Sequence, residues 1–324
     1  MCTYSDKSYF ARKLIIPTNP EPLSDPVMVW EFVELSSISL SSLSQLQTHF
    51  RADLQFSLMI LFISYDKIYL MTKKQISLII LSPKNNDFFS LESSLPIKAT
   101  PIILKAQVLK NSIDMPISFI NWRVKLVWCG TYQTYQTNTN ISGNAATIQS
   151  FTGGKLYIRA STIIDKKEYS SLNKAVIIAN NPTRELLKKT LPSDILKAIA
   201  WQESSWRQFD AKGNPLKNPS SSMIGIMQIS ERWWGNEKSS IKSNDFNKMA
   251  WNWSYNIQAA KEILEYYFQR VINKFPNETE ESKWNRTVKA YHVGESSINT
   301  KESADDFWYV KKIRSHIKEK SWEK

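Results

Sequence analysis

Ile195-Leu196-Lys197-Ala198-Ile199-Ala200-Trp201-Gln202-Glu203-Ser204-Ser205-Trp206 is the stretch on which the reading of this 324-residue chain turns. Ile195, Ile199, Gln202 and Trp206 recur at helical spacing and share one face. The helix places one carboxylate, Glu203, among aromatic and apolar neighbours. Burial of that kind disfavours the charged form and raises the pKa, so Glu203 is expected to hold its proton and to suit general-acid work near neutral pH.

Upstream, Thr183 can cap a helix through Leu187, and Pro192-Ser193-Asp194 ends one helix and starts the next. Downstream, Ser254 to Asn273 is the longest helix candidate, carrying Ile257, Ala260, Ile263, Leu264, Tyr267, Phe268 and Val271. Further helices are predicted at Ser282 to His292 and Asp305 to Lys318. Their aromatic residues are read mainly as packing.

Four motifs appear in order in this half: Glu203-Ser204, then Gly225-Ile226-Met227-Gln228, then Asn256-Ile257, then Ala290-Tyr291-His292-Val293-Gly294. Each alone is weak; their order and spacing are specific. Together they resemble the motif set of soluble lytic transglycosylases and goose-type lysozymes over roughly residues 183 to 320. The resemblance implies an all-α lysozyme-like domain that cleaves peptidoglycan. Three departures stand out: His292 replaces the usual Asn after the motif tyrosine, Ala259 and Ala260 stand where a small Gly is usual, and the interval from Glu203 to Gly225 is long. The extra residues fall around Asp210-Ala211-Lys212-Gly213-Asn214-Pro215, which reads as a turn.

The resemblance implies Glu203 as the general acid/base that cleaves the bond between N-acetylmuramic acid and N-acetylglucosamine. It first protonates the bridging oxygen, then takes the proton of the muramoyl C6 hydroxyl, which closes a 1,6-anhydro ring. Tyr291 is expected to bring its hydroxyl near Glu203 and orient it. Ser204, Gly225, Ile226, Met227, Gln228, Tyr291 and His292 are the expected substrate-binding set, with Gln228 and the backbone of Gly225-Ile226-Met227 as the floor of the cleft. His292 has two readings: a replacement for a sugar-binding Asn, or a neutral ring packed under Tyr291. A water-using lysozyme is the alternative enzyme, with Asp210, Glu231 or Asp245 as the second carboxylate. A non-catalytic peptidoglycan-binding protein with a degenerate site is the other alternative. Ser204 and Ser205 lack a histidine partner in any nucleophile motif.

Residues 96–175 read differently. Ile102 to Val108, Ile117 to Trp128, Thr131 to Thr137, Ala146 to Phe151 and Lys155 to Ser161 are short β-type runs separated by turns. From Ile120 to Trp128 apolar residues hold the even positions, the period of a half-buried strand. A small antiparallel β-sandwich-like domain is predicted, with Trp122 and Trp128 in its core. Residues 1–95 are an uncertain N-terminal region, expected to be β-rich, with two or three strands between Phe56 and Leu81. The overall expectation is an α+β multidomain chain whose last domain, residues 176–324, is lysozyme-like, and a fragment from about Asn180 to Lys324 is expected to fold alone as a mostly helical unit.

Composition excludes some classes. The three histidines, His49, His292 and His316, form no His-Glu-x-x-His pattern, and Cys2 and Cys129 cannot build a zinc cluster, so neither metal nor cofactor is expected. The two cysteines either pair or stay free. The net charge of +12 is spread along the chain, which favours an anionic polymer by steering. No nucleic-acid-binding motif accompanies it, so peptidoglycan glycan strands are the expected partner and no specific nucleic acid is. Phe56 to Ile63 is about eight residues against the roughly twenty needed to span a bilayer, so no transmembrane segment is expected. Met1-Cys2-Thr3-Tyr4-Ser5-Asp6 lacks the basic start and apolar run of a signal peptide. Location in the cell envelope or periplasm then requires another route: a secretion apparatus, a phage-type lysis system, or a different start codon.

Overall fold

The computed structural model describes residues 76–116, 119–218, 221–300 and 303–324. The expected N-terminal strands before Ile76 lie outside these residues. Nine strands come first: β1 (Ile76–Ser82), β2 (Asp87–Leu91), β3 (Thr100–Lys110), β4 (Ile113–Met115), β5 (Asn121–Cys129), β6 (Thr134–Ser142), β7 (Ala145–Ser150), β8 (Gly154–Ile164) and β9 (Lys167–Ala179). They form two sheets. In one, β3 pairs with β1, β4 and β7; the other runs β2-β9-β8-β5-β6. All pairings are antiparallel except β2 with β9.

The alternation along β5 holds as read: Trp122, Val124, Leu126 and Trp128 are buried, and the residues between Asn121 and Leu126 that alternate with them are exposed. In β3, Ile102, Leu104 and Val108 are likewise buried, and β8 buries Leu156, Ile158 and Ala160. These inner faces join one continuous core with the helical region. The strands extend beyond the expected interval of 96–175. β1 and β2 precede it because Ile76–Ser82 and Asp87–Leu91 find partners in β3 and β9, and β9 itself runs to Ala179.

From Asn180 the chain is mainly helical: α1 (Arg184–Thr190), α2 (Asp194–Ser204), α3 (Glu231–Trp234), α4 (Phe246–Trp251), α5 (Trp253–Lys274), α6 (Glu280–Val293) and α7 (Trp308–Glu319). It is not helical throughout. β10 (Met223–Ile224) and β11 (Ile229–Ser230) make a two-residue antiparallel pair around the Gly225-Ile226-Met227-Gln228 turn. Caps set the boundaries. Thr183, Ser193, Asn252 and Thr279 each accept a backbone N–H from the first turn that would otherwise lack a partner.

α2 stops two residues short of the expected Trp206. Ser205 and Trp206 both take left-handed backbone, with φ of 53° and 64°, and the Trp206 indole N–H donates back to the Lys197 carbonyl at 3.0 Å. The long helix α5 buries Ile257, Ala260, Ile263, Leu264, Tyr267 and Val271 at spacings of three and four. Ala259 and Ala260 are fully buried, small enough to let neighbouring backbone close in.

The β and helical parts share a wide seam within the compact unit of residues 75–324. Trp128 stacks on Tyr135 at 4.7 Å and meets Phe246 at 6.1 Å and Trp251 edge-on at 5.8 Å, while its indole N–H donates to Asn247. Gly153 is a close-approach position here, since a Cβ would stand 2.2 Å from the Trp251 ring. Lys217 donates to the Gly130 carbonyl at 3.1 Å and also to that of Cys129. The seam was not visible in sequence, because the aromatic residues that form it read there as ordinary core residues. Among the described residues, no helix is long and apolar enough to cross a membrane.

Candidate active site

Glu203 lies in the last turn of α2, largely withdrawn from solvent, and burial raises its pKa above the ordinary carboxylate value. Among the described residues its hydrogen-bond partner is the Tyr309 hydroxyl of α7, which donates to Oε1 at 2.5 Å and partly offsets that rise. Burial and the Glu203 charge keep the Tyr309 phenol protonated far above its usual range, so it remains a donor. The sequence placed Tyr309 in a helix but attached no role to it. Only its register, on the buried face beside Val310 and Ile313, hinted that it points inward.

Tyr291, expected to bring its hydroxyl near Glu203, has a backbone partner. Its hydroxyl donates to the Met227 carbonyl at 2.7 Å, although the ring lies close enough to Glu203 to feel its charge. Carbonyl oxygens are strong acceptors in a buried setting, and the turn presents this one to α6. His292, the next residue, stacks on Tyr309 with centroids 4.3 Å apart and planes within 13°, and meets Trp308 edge-on at 5.0 Å. It therefore packs against Tyr309 rather than under Tyr291. Burial lowers its pKa, which favours the neutral ring.

The turn from Gly225 to Gln228 is held by side chains from three directions. Gln208 accepts the Ile226 N–H at 2.8 Å and donates to the carbonyls of Met249 and Ala250. Asn256 accepts the Met227 N–H at 2.9 Å and donates to Ile224 and Met249. Ser204 donates to the Ile226 carbonyl at 2.7 Å, tying the turn to the residue next to Glu203. The remaining amides, those of Gly225 and Gln228, donate to Leu216 and Gly225. Gly225 has φ of +80°, and a Cβ there would stand 2.6 Å from Asn256 Nδ2 and 2.7 Å from Gln208 Nε2. Glycine is the residue that satisfies both the left-handed backbone and the close approach.

The Gly225–Met227 backbone, expected with Gln228 as the floor of the cleft, is hydrogen-bonded within the protein. Every amide N–H from Gly225 to Gln228 is already paired inside the protein, and the side chains of Ser204, Ile226 and Met227 are buried. These residues, with Gly225, frame the site from behind. A cleft of about 460 Å³ opens beside them, lined by Gln228, Tyr291 and His292 together with Trp233, Trp234, Tyr266 and Tyr267. Tyr291 connects the two, lining the cleft and lying within electrostatic reach of Glu203. The Trp pair of α3 carried no motif signal, because an aromatic in an unassigned segment reads as packing.

The three carboxylates considered as partners for Glu203 all hold structure. Asp210 accepts the N–H groups of Lys212 and Asn214 in the inserted turn. Asp245 caps α4 through the Lys248 N–H. Glu231, 5% exposed, accepts from the Thr131 N–H and hydroxyl, the Tyr132 N–H and the Tyr135 hydroxyl at 2.5–2.9 Å. Among the described residues no cluster of His, Cys, Asp or Glu is arranged to hold a metal ion.

No curated protein and no solved structure matches the chain. Residues 181–312 match the family model described as the transglycosylase SLT domain, so the C-terminal part of the chain, which contains Glu203, Tyr291 and Tyr309, is similar to the catalytic domains of peptidoglycan-lysing lytic transglycosylases.

Proposed function

We propose that this protein cleaves the β-1,4 bond between N-acetylmuramic acid and N-acetylglucosamine in peptidoglycan, with Glu203 as sole general acid and base. The observation that carries the reading is Glu203 itself: a largely buried carboxylic acid with a raised pKa, bonded by the Tyr309 phenol and within electrostatic reach of Tyr291, which lines an aromatic cleft in the SLT-matched region. Protonated, it donates to the bridging oxygen as the bond to C1 breaks. Ionised after that step, it accepts the proton of the muramoyl C6 hydroxyl as that oxygen attacks C1, and it ends protonated and ready for another cycle. Tyr309 donates to the carboxylate throughout and fixes its rotamer.

The fate of C1 follows from what is near. Hydrolysis by two carboxylates needs a second one free to activate water. Asp210, Glu231 and Asp245 are each engaged in local structure. The C6 hydroxyl is part of the substrate, and an intramolecular nucleophile has a large effective concentration. We therefore expect 1,6-anhydromuramoyl ends. The β region contributes the support described at the seam, in a two-sheet arrangement that we read as sandwich-like. Substrate chemistry sets the place of action in the cell envelope.

Digestion of purified sacculi followed by mass spectrometry of the released muropeptides tests the assignment. Anhydro ends support it. Reducing ends carrying ¹⁸O from labelled water point to a lysozyme, and intact sacculi point to a binder.

A further inference from the structure

The most exposed aromatic of the cleft sits on its shortest helix. Trp233 is 67% exposed and lines the cleft from α3, which is four residues long. A helix that short does not hold itself together. Here it is fixed at both ends. Glu231, its first residue, is held by the donors of the Thr131–Tyr135 hairpin of the β region, and its last, Trp234, packs edge-on against Tyr266 and Tyr267 of α5 at 5.8 and 5.7 Å. The Arg232 guanidinium lies 5.3 Å from the Trp233 ring centroid. An indole is thus presented to solvent from an anchored backbone, so a ligand that covers the ring removes apolar surface from water.

We propose that Trp233 is a sugar-stacking platform, taking the apolar face of an N-acetylated pyranose of the glycan strand, and that the β region positions it through Glu231. β-1,4-linked sugars with equatorial substituents turn axial C–H groups toward both ring faces. Those faces are apolar and weakly positive, and they complement the electron-rich face of an indole. A platform already fixed in place loses little conformational freedom when ligand arrives. The identity of the sugar rests on the Glu203 reading, whereas the stacking itself is measurable as binding without cleavage.

The full chain carrying Glu203→Gln, which leaves ligand uncut, is titrated calorimetrically with a soluble tetrasaccharide of alternating N-acetylglucosamine and N-acetylmuramic acid. Adding Trp233→Ala should weaken binding roughly tenfold or more, and Trp233→Phe by less than about threefold. Phe88→Ser, an exposed aromatic removed from β2, should leave affinity unchanged. Glu231→Gln should weaken binding at temperatures where the variant is fully folded, and the Glu231→Gln/Trp233→Ala pair should bind no more weakly than Trp233→Ala alone. The proposal falls if Trp233→Ala stays within twofold, if the Phe variant is as weak as the Ala variant, if the Glu231 and Trp233 losses add in full, or if the parent does not bind. Binding by the Glu203→Gln chain, together with no cleavage by the chain that keeps Glu203, would instead remove the catalytic reading and leave the platform standing.

Discussion

Glu203 at the end of α2 and Glu231 at the start of α3 are both carboxylates withdrawn from solvent, and their neighbourhoods differ. Among the described residues Glu203 meets one hydroxyl, from Tyr309, in a largely buried setting. Glu231 meets four donors on a hairpin about a hundred residues earlier in the chain. A carboxyl group with one donor keeps lone pairs and a proton available for chemistry. One wrapped by four donors is a structural acceptor, and its removal is felt as lost stability. The family motif surrounds the first, while the second joins the helical part to a β region that the family match does not reach.

The sharpest way to break that contrast is Glu203→Gln. The amide still accepts the Tyr309 hydroxyl but cannot act as an acid, so turnover of sacculi should fall by about 10²- to 10⁴-fold. Stability should move the other way. The folded-state pKa is raised, so the native state prefers the neutral acid, and the preference favours folding at low pH and is lost as pH rises through the folded value. The Gln variant should therefore melt at the same or a higher temperature than the parent near pH 7, with the gap closing as pH falls. A lower melting point at neutral pH, tracked by circular dichroism, would show that Glu203 is held as a charge.

Glu231→Ala should do the reverse, costing roughly 2–3 kcal/mol in denaturant unfolding because it strands buried donors. The same seam predicts that a fragment of residues 180–324 melts well below the full chain, since the cut uncovers Phe246 and Trp251. A fragment with the parent's cooperative melt would show that the β region only decorates the helical part.

Much of this was legible in sequence, and the limits have physical causes. Helix starts at Thr183 and Ser193 were readable because capping is a local interaction. β5 was readable because its alternation survives burial on one side. The strand β9 was not predicted; its first eight residues, Lys167–Lys174, have exposed and partly buried positions with little apolar contrast. The site shows the same division. Glu203 and Gly225 announced themselves by motif, but the hydroxyl that binds Glu203 comes from 106 positions away. Gln208, which holds the turn at Ile226, lies in no recognised motif. Pairings between distant elements leave no periodic trace.

Tyr309→Phe sharpens the contrast at intermediate size. It removes the hydrogen bond that Tyr309 makes to the Glu203 carboxyl while keeping the ring that stacks on His292. We expect about a tenfold loss of turnover, in line with one positioned hydrogen bond to a charged group at about 1.5 kcal/mol. The pH profile carries the diagnostic. In the parent, activity should decline on the alkaline side as Glu203 loses its proton, at a pH above the ordinary carboxylate range. The phenol lowers that pKa, so its loss should move the alkaline limb further upward. A downward move would mean that Tyr309 acts on substrate and not on Glu203.

The smallest expected effect tests whether any second carboxylate takes part. Asp245→Asn retains a good cap for α4, because an Asn side-chain carbonyl accepts the Lys248 N–H as a carboxylate does. Asp210→Asn retains the turn for the same reason, with Lys212 and Asn214 still donating to its oxygen. Both replacements preserve what the structure uses and delete what a general base would need. Turnover and the proportion of anhydro ends should stay within about twofold of the parent for each, against the 10²-fold or larger loss expected when a true base is removed. Were either variant to lose activity on that scale while its melting temperature held, water activation by that carboxylate would replace the C6 hydroxyl as the route, and Glu203 would no longer be working alone.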